Sequence, residues 1–221
     1  PPSRSADKVG IEMHRNVTLR NVRFNWLEIF EGKAFNEGDP HRFRAECIIE
    51  PGTPAAEVLD KAVLSAAEDK WPGKAEGMVK VAESSKKCCR KSGDEMPVNK
   101  TTFEVPEHYV GNVVLSSSRV LERDGAPRVF VKRPATGKLV EVTKDTAIGA
   151  DLVKPVPGSF GDVMVSLWGW EFGGSPQINC TLDAIAFTTD GDPLGGRETL
   201  GDEQLAAGFG AEIEVAETPF A

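Results

Sequence analysis

VGNVVLSSSRVLERDGAPRVFVKR, Val110 to Arg133, holds two extended segments and the punctuation between them. Val113 to Leu121 is β-branched and small, and further on Arg128, Phe130 and Lys132 alternate with Val129 and Val131. An extended chain sends alternate side chains to opposite faces, so the valines pack inward while two cations and a ring share the other side. Glu122-Arg123-Asp124-Gly125 joins the halves, and Asp-Gly between apolar runs predicts a β-hairpin. Such an outer face suits a polyanion with stackable bases; it equally describes a solvated strand face that carries one ring.

On the N-terminal side, NVTLRNVRFNWLEIF (Asn16 to Phe30) reads as a long first strand and Glu31 to Pro40 as a turn. HRFRAECII (His41 to Ile49) alternates cleanly, with Phe43, Ala45, Cys47 and Ile49 on one face and Arg42, Arg44 and Glu46 on the other. Thr53-Pro54 predicts a helix start, threonine at the cap and proline where its missing N–H costs nothing. Val58, Leu59, Ala62, Val63 and Ala66 recur at three and four, so an amphipathic helix runs to about Lys70, where Trp71-Pro72-Gly73 stops it. From Lys74 to Lys100 periodicity is lost, and seven bases face four acids. The dense part, KKCCRK (Lys86 to Lys91), is either a solvated loop or a flexible basic arm that closes over a phosphate backbone.

On the C-terminal side, Leu139 to Thr143 is a short strand and Lys144 to Gly161 a loop. In DVMVSLWGWEF (Asp162 to Phe172), Val163, Val165 and Leu167 form one face, with Met164, Ser166, Trp168, Trp170 and Phe172 opposite. Two tryptophans on one strand face are either core, in a sheet packed on both sides, or a stacking platform. Ile178 to Thr188 is the last strand, and beyond Gly191 the chain is Gly-rich, acidic and aperiodic, which predicts disorder. The expected organisation is a flexible segment 1–15, a body 16–190 and an acidic tail 191–221. Six to eight short strands with one inserted helix make the body mainly β, an OB-fold-like β-barrel with long loops.

The net charge of −8 arises entirely in the last 41 residues, where nine acids face the single base Arg197; the first 180 residues carry 25 of each sign. A balanced body with an acidic tail is therefore compatible with a polyanion partner. No apolar run approaches a membrane span, and PPSRSADKVG lacks the apolar core of a signal peptide, so a cytosolic protein without a membrane partner is expected. Cys47, Cys88, Cys89 and Cys180 lack zinc-like spacing and read as reduced thiols. His14, His41 and His108 are scattered; Asp94, Glu95, Glu104 and the Asp183–Asp192 acids show no metal-nuclease pattern. No catalytic residue, metal or cofactor is expected. A virion β-sandwich, with the basic rows as subunit contacts, fits the strand count and stays open as an alternative.

NVRFNWLEIFEGKAFNEGDPHRFRAECIIEPGT, the Ser92-Gly93-Asp94 turn, RVFVKRP, and KPVPGSFGDVMVSLWGWEF with the strand after it resemble single-stranded DNA-binding proteins of tailed bacteriophages, distantly similar to those of T7-like phages. The resemblance spans about Asn16 to Asp190. It implies an OB-fold with a long insertion, single-stranded DNA in a basic groove, a role in phage DNA replication, recombination or repair in the host cell cytoplasm, and a tail that docks polymerase, helicase or primase. Glu214, Glu217, Pro219 and Phe220 are similar to the acidic-Pro-Phe ending by which bacterial relatives recruit enzymes, although Ala221 follows here. A homodimer is carried as an expectation, since the residues do not fix the oligomeric state.

Binding without sequence preference needs cations for phosphates and rings for bases. The phosphate candidates are Arg42, Arg44, Lys86, Lys87, Arg90 and Lys91, then Arg119, Arg128, Lys132 and Arg133. The stacking candidates are Phe130, Tyr109, Trp168 and Trp170, with Phe130 first because its flanking valines already claim the core.

Overall fold

A computed structural model describes residues 16–100 and 102–194. Eight strands form one sheet in the order β3-β4-β2-β1-β7-β8-β5-β6. They are β1 (Asn16–Lys33), β2 (Arg42–Ile49), β3 (Arg90–Ser92), β4 (Val113–Val120), β5 (Arg128–Lys132), β6 (Leu139–Val142), β7 (Phe160–Phe172) and β8 (Ser175–Thr189). β4 also meets β8 in parallel at Ser118 and Thr181, so β1, β2, β4, β8 and β7 close into a five-stranded ring. That strand order, with one parallel contact at the closure, is the partly open Greek-key barrel of an OB-fold.

The barrel interior follows from the alternation. Phe24, Cys47, Leu115, Val163, Val165, Leu182 and Phe187 are all buried inward, with the Phe24 and Phe187 rings 4.8 Å apart. Helix α1 (Pro54–Lys70) seals one side with Leu59, Val63, Ala66 and Ala67, and the Thr53 hydroxyl accepts from the Ala56 N–H at its start. β7 and β8 form a hairpin through Gly173-Gly174, whose φ angles of 59° and 73° are those a two-residue turn between twisted strands requires. Residues 191–194 run back along the barrel: the Asp192 carbonyl accepts from Arg23, and the Leu194 N–H donates to Pro157.

Two expectations need correction. The predicted hairpin within Val110–Arg133 does not form. β4 pairs antiparallel with β2 and β3, a one-turn helix α3 (Leu121–Asp124) follows, and β5 pairs in parallel with β8 and antiparallel with β6. The segment after Lys74 is not an unstructured arm either. It contains α2 (Ala75–Ser84), packed through Ala75, Val79 and Ala82, and then β3. Lys87 to Cys89 is clamped on both sides, since Ile178 N–H donates to the Lys87 carbonyl, Cys89 N–H to Ile178, and Ser116 N–H to Cys89. Basic side chains therefore project from a fixed backbone. No described helix is long and apolar enough to cross a membrane.

Candidate nucleic-acid interface

β7 decides which way the tryptophans point. Gly169 lies between them on the face beneath α1, where a Cβ would come within 2.7 Å of Lys70 Cβ and 2.9 Å of the Ala66 carbonyl oxygen. Only glycine lets helix and strand approach so closely, and alternation then turns Trp168 and Trp170 outward. Their rings meet edge to face, 6.2 Å apart at 74°. Trp168 is half-buried and donates its indole N–H to Thr181 at 3.3 Å, while Trp170 is 49% exposed with the Lys70 ammonium 5.9 Å from its ring. Neither ring is part of the barrel core.

The pair forms one wall of a cleft of about 420 Å³. Lys86 and Lys87, in the turn that ends α2, form another, and Arg42 of β2 and Lys91 of β3 complete the rim. Ser116, Ser118 and Thr181 supply hydroxyls along the floor where β4 meets β8. Arg42 and Lys86 make no ion pair among the described residues; Lys87 and Lys91 reach only the hydroxyls of Ser175 and Ser116, at 3.1 and 3.3 Å. Four cations thus border the cleft without a carboxylate partner among the described residues. Cys88, Cys89 and Cys180 lie beneath them as free, buried thiols. A hydrogen bond with Cys180 pushes the Cys89 thiol up, and one with Cys89, together with burial, does the same to Cys88, so both stay protonated.

The other candidates are spoken for or lie elsewhere. Arg90 bonds Glu83 and Asp60 and ties β3 to both helices. Arg119 bonds Asp183 and the carbonyls of Asp124, Gly125 and Leu182, locking the barrel closure. Arg44 bonds Glu28 at 2.6 Å; burial pushes the Glu28 carboxyl up, but Arg44 outweighs it and holds the group below its ordinary range. On β5, Arg128, Phe130 and Lys132 do share an outer face, yet away from this cleft. Arg128 pairs with Glu141 and covers the Phe130 ring at 4.9 Å, and Arg133 pairs with Asp151. Tyr109 is 8% exposed and cannot stack on a base from there; its hydroxyl donates to Glu46, which also accepts from Asn25. Glu214, Glu217, Pro219 and Phe220 lie outside the described residues.

The sequence missed Trp26. Alternation from Val22 and Phe24 would bury it, but Phe24 pairs with Cys47 and Leu27 with Ala45, leaving one extra residue between. This β-bulge restores Leu27 to the inner face and leaves Trp26 59% exposed. No sequence signal marks the bulge.

Residues 15–212 match the family described as Enterobacter phage Enc34, ssDNA-binding protein, and the chain belongs to that family. No curated protein matches it by sequence. The single-stranded DNA-binding protein from bacteriophage Enc34 in complex with ssDNA superposes with a TM-score of 0.59 at 17% identity, covering 83% of this chain and 91% of that one. Another structure of the bacteriophage Enc34 protein gives 0.57 at 18% identity, covering 86% and 90%. Both share the fold. Gp2.5, a single-stranded DNA-binding protein encoded by bacteriophage T7, aligns over 94% of this chain and 98% of its own at 10% identity and 0.45, too distant to bear on the site.

Proposed function

We propose that this member of the Enc34 single-stranded DNA-binding family holds single-stranded DNA, without sequence preference, in the cleft between Trp168–Trp170 and the Lys86–Lys91 segment. The observation that carries the reading is the meeting of two outward tryptophans with four cations that have no carboxylate partner among the described residues. Phosphates pass along Arg42, Lys86, Lys87 and Lys91, and bases stack on Trp170 and the exposed edge of Trp168. Every base has a π-face, so stacking tolerates any sequence, and it contributes about 1–3 kcal/mol per base. Duplex DNA keeps its bases paired and offers the rings nothing. The protein acts as a binding protein and not as an enzyme, in phage DNA replication, recombination or repair inside the host cell. An OB-fold covers about 4–16 nucleotides.

The acidic tail acts on the same cleft. Tethered to the body that carries the groove, it competes with DNA at high effective concentration until DNA or a replication protein displaces it. The test is fluorescence anisotropy of a labelled oligo-dT with the full chain and with a chain ending at Leu194, which keeps the residues packed on the barrel. Binding by both chains, tighter for the shorter at low salt, is the expected result. Absence of binding by both refutes the cleft reading; equal affinity refutes tail competition alone.

A further inference from the structure

The cleft does not end at β4. Ser116 and Ser118, on its floor, also line a shallow groove of about 200 Å³ with Arg44 and Trp26. The pairings give the order across the furrow: Thr181 of β8 faces Ser118 of β4, Ser118 faces Arg44 of β2, and the bulge of β1 lies beside Ala45. Three strand spacings separate Thr181, which holds the Trp168 indole, from Trp26, about 14 Å at about 4.8 Å each. The furrow therefore runs across the strands with tryptophan at both ends.

The bulge that aims Trp26 is pinned. Asn25, its neighbour, donates its side-chain amide to Glu46 at 2.9 Å, and the buried Tyr109 donates to the same carboxylate oxygen. The two acids on this face are engaged: Glu46 accepts these donors, and Glu28 is paired with Arg44 and, at 3.5 Å, Lys33. Neither donor to Glu46 is a cation, so its charge is anchored toward Asn25 and Tyr109 but not offset as that of Glu28 is; hydroxyls, the Arg44–Glu28 pair and one exposed indole make up the rest of the furrow.

We propose that the bound strand continues from the Trp168–Trp170 wall over β4 and β2 to the β1 bulge, where Trp26 is a second base-stacking platform. Tyr109 and Asn25 are positioning residues for it. The inference rests on the cleft reading above and adds a ring, a direction and a far end to it.

Trp26→Ala and Trp26→Phe are compared with the unaltered chain in oligo-dT binding by anisotropy at two salt concentrations. Loss of one stacked base weakens the alanine variant by about 5- to 150-fold, the range that corresponds to the stacking energy per base. The salt slope stays unchanged because no cation is lost, and phenylalanine restores most of the affinity. The indole is exposed, so thermal melting of both variants matches the unaltered chain. If the unaltered chain binds and Trp26→Ala binds equally well, the second platform is refuted while the cleft stands. If the unaltered chain does not bind, both fall. A variant that loses affinity together with a change in salt slope also refutes the assignment, because the residue then acts through the charged groups.

Discussion

Replacing Lys86 and Lys87 by glutamine removes two of the four cleft cations that lack a carboxylate partner among the described residues. Lys86 is held by its N–H to the Glu83 carbonyl of α2 and Lys87 by backbone bonds to Ala82 and to Ile178 of β8, and both side chains are exposed. Stability should therefore change by no more than about 0.5 kcal/mol. Binding should change in a defined way. Each phosphate neutralised on a single strand contributes about −0.7 to the slope of log K against log salt, so four cations give about −2.8 and two give about −1.4. Between 50 and 200 mM salt, the unaltered chain then loses affinity about 50-fold and the double variant about 7-fold, from those slopes. Oligo-dT titrations at four or five salt concentrations measure both. A double variant whose slope equals that of the unaltered chain would show that phosphates do not pass along these lysines.

Trp170→Ala should weaken oligo-dT binding by about 5- to 150-fold while leaving the melting temperature unchanged, read by titration and thermal denaturation. Gly169→Ala forces a Cβ against α1, 2.7 Å from Lys70 Cβ, and should cost about 1–3 kcal/mol in a denaturant melt. Phe24→Ala empties a fully buried site beside Phe187 and should cost about 3–5 kcal/mol in the same assay. Tyr109 gives a pH signature. Burial, with the Glu46 carboxylate beside it, pushes its phenol above the ordinary value of about 10, so the folded chain holds that proton more tightly than the unfolded one. Its contribution is fully present below pH ~10 and is lost as pH rises beyond it. Tyr109→Phe should flatten that alkaline loss in a pH series of urea melts; an unchanged alkaline limb would contradict it.

Elements whose burial is written in local alternation or helical period were legible. β2, α1 and β7 fall within a residue or two of where Phe43-Ala45-Cys47, Thr53-Pro54 and Val163-Val165-Leu167 put them. The hidden elements are those set by distant partners. Asp124-Gly125 does carry turn chemistry, but it ends one helical turn, because β8 takes β5 in parallel and no local pattern records that choice. Helix α2 was masked by small buried residues, Ala75 and Ala82, by Gly77 in its first turn and by the absence of a side-chain cap, with a run of bases following. At the site, composition named cations and rings but not their allegiance. Lys86 and Arg90 look alike in KKCCRK, yet only Arg90 has Glu83 and Asp60 beside it, contributed by α2 and α1. Phe130 had the cleaner alternation, and Trp168 and Trp170 the place at the cleft. Trp26 depended on one inserted residue in β1, which shifts every side chain after it to the opposite face.

On the reading proposed above, outward tryptophans and cations without a carboxylate partner among the described residues take up unstacked, single-stranded bases in one cleft. Intrinsic tryptophan fluorescence tests it most directly, titrated with unlabelled oligo-dT and with duplex of equal length at 50 and 200 mM salt. Saturable quenching by oligo-dT that weakens with salt, and little quenching by duplex, is the expected result. Fluorescence unmoved by oligo-dT at low salt, in a folded chain ending at Leu194, would contradict it.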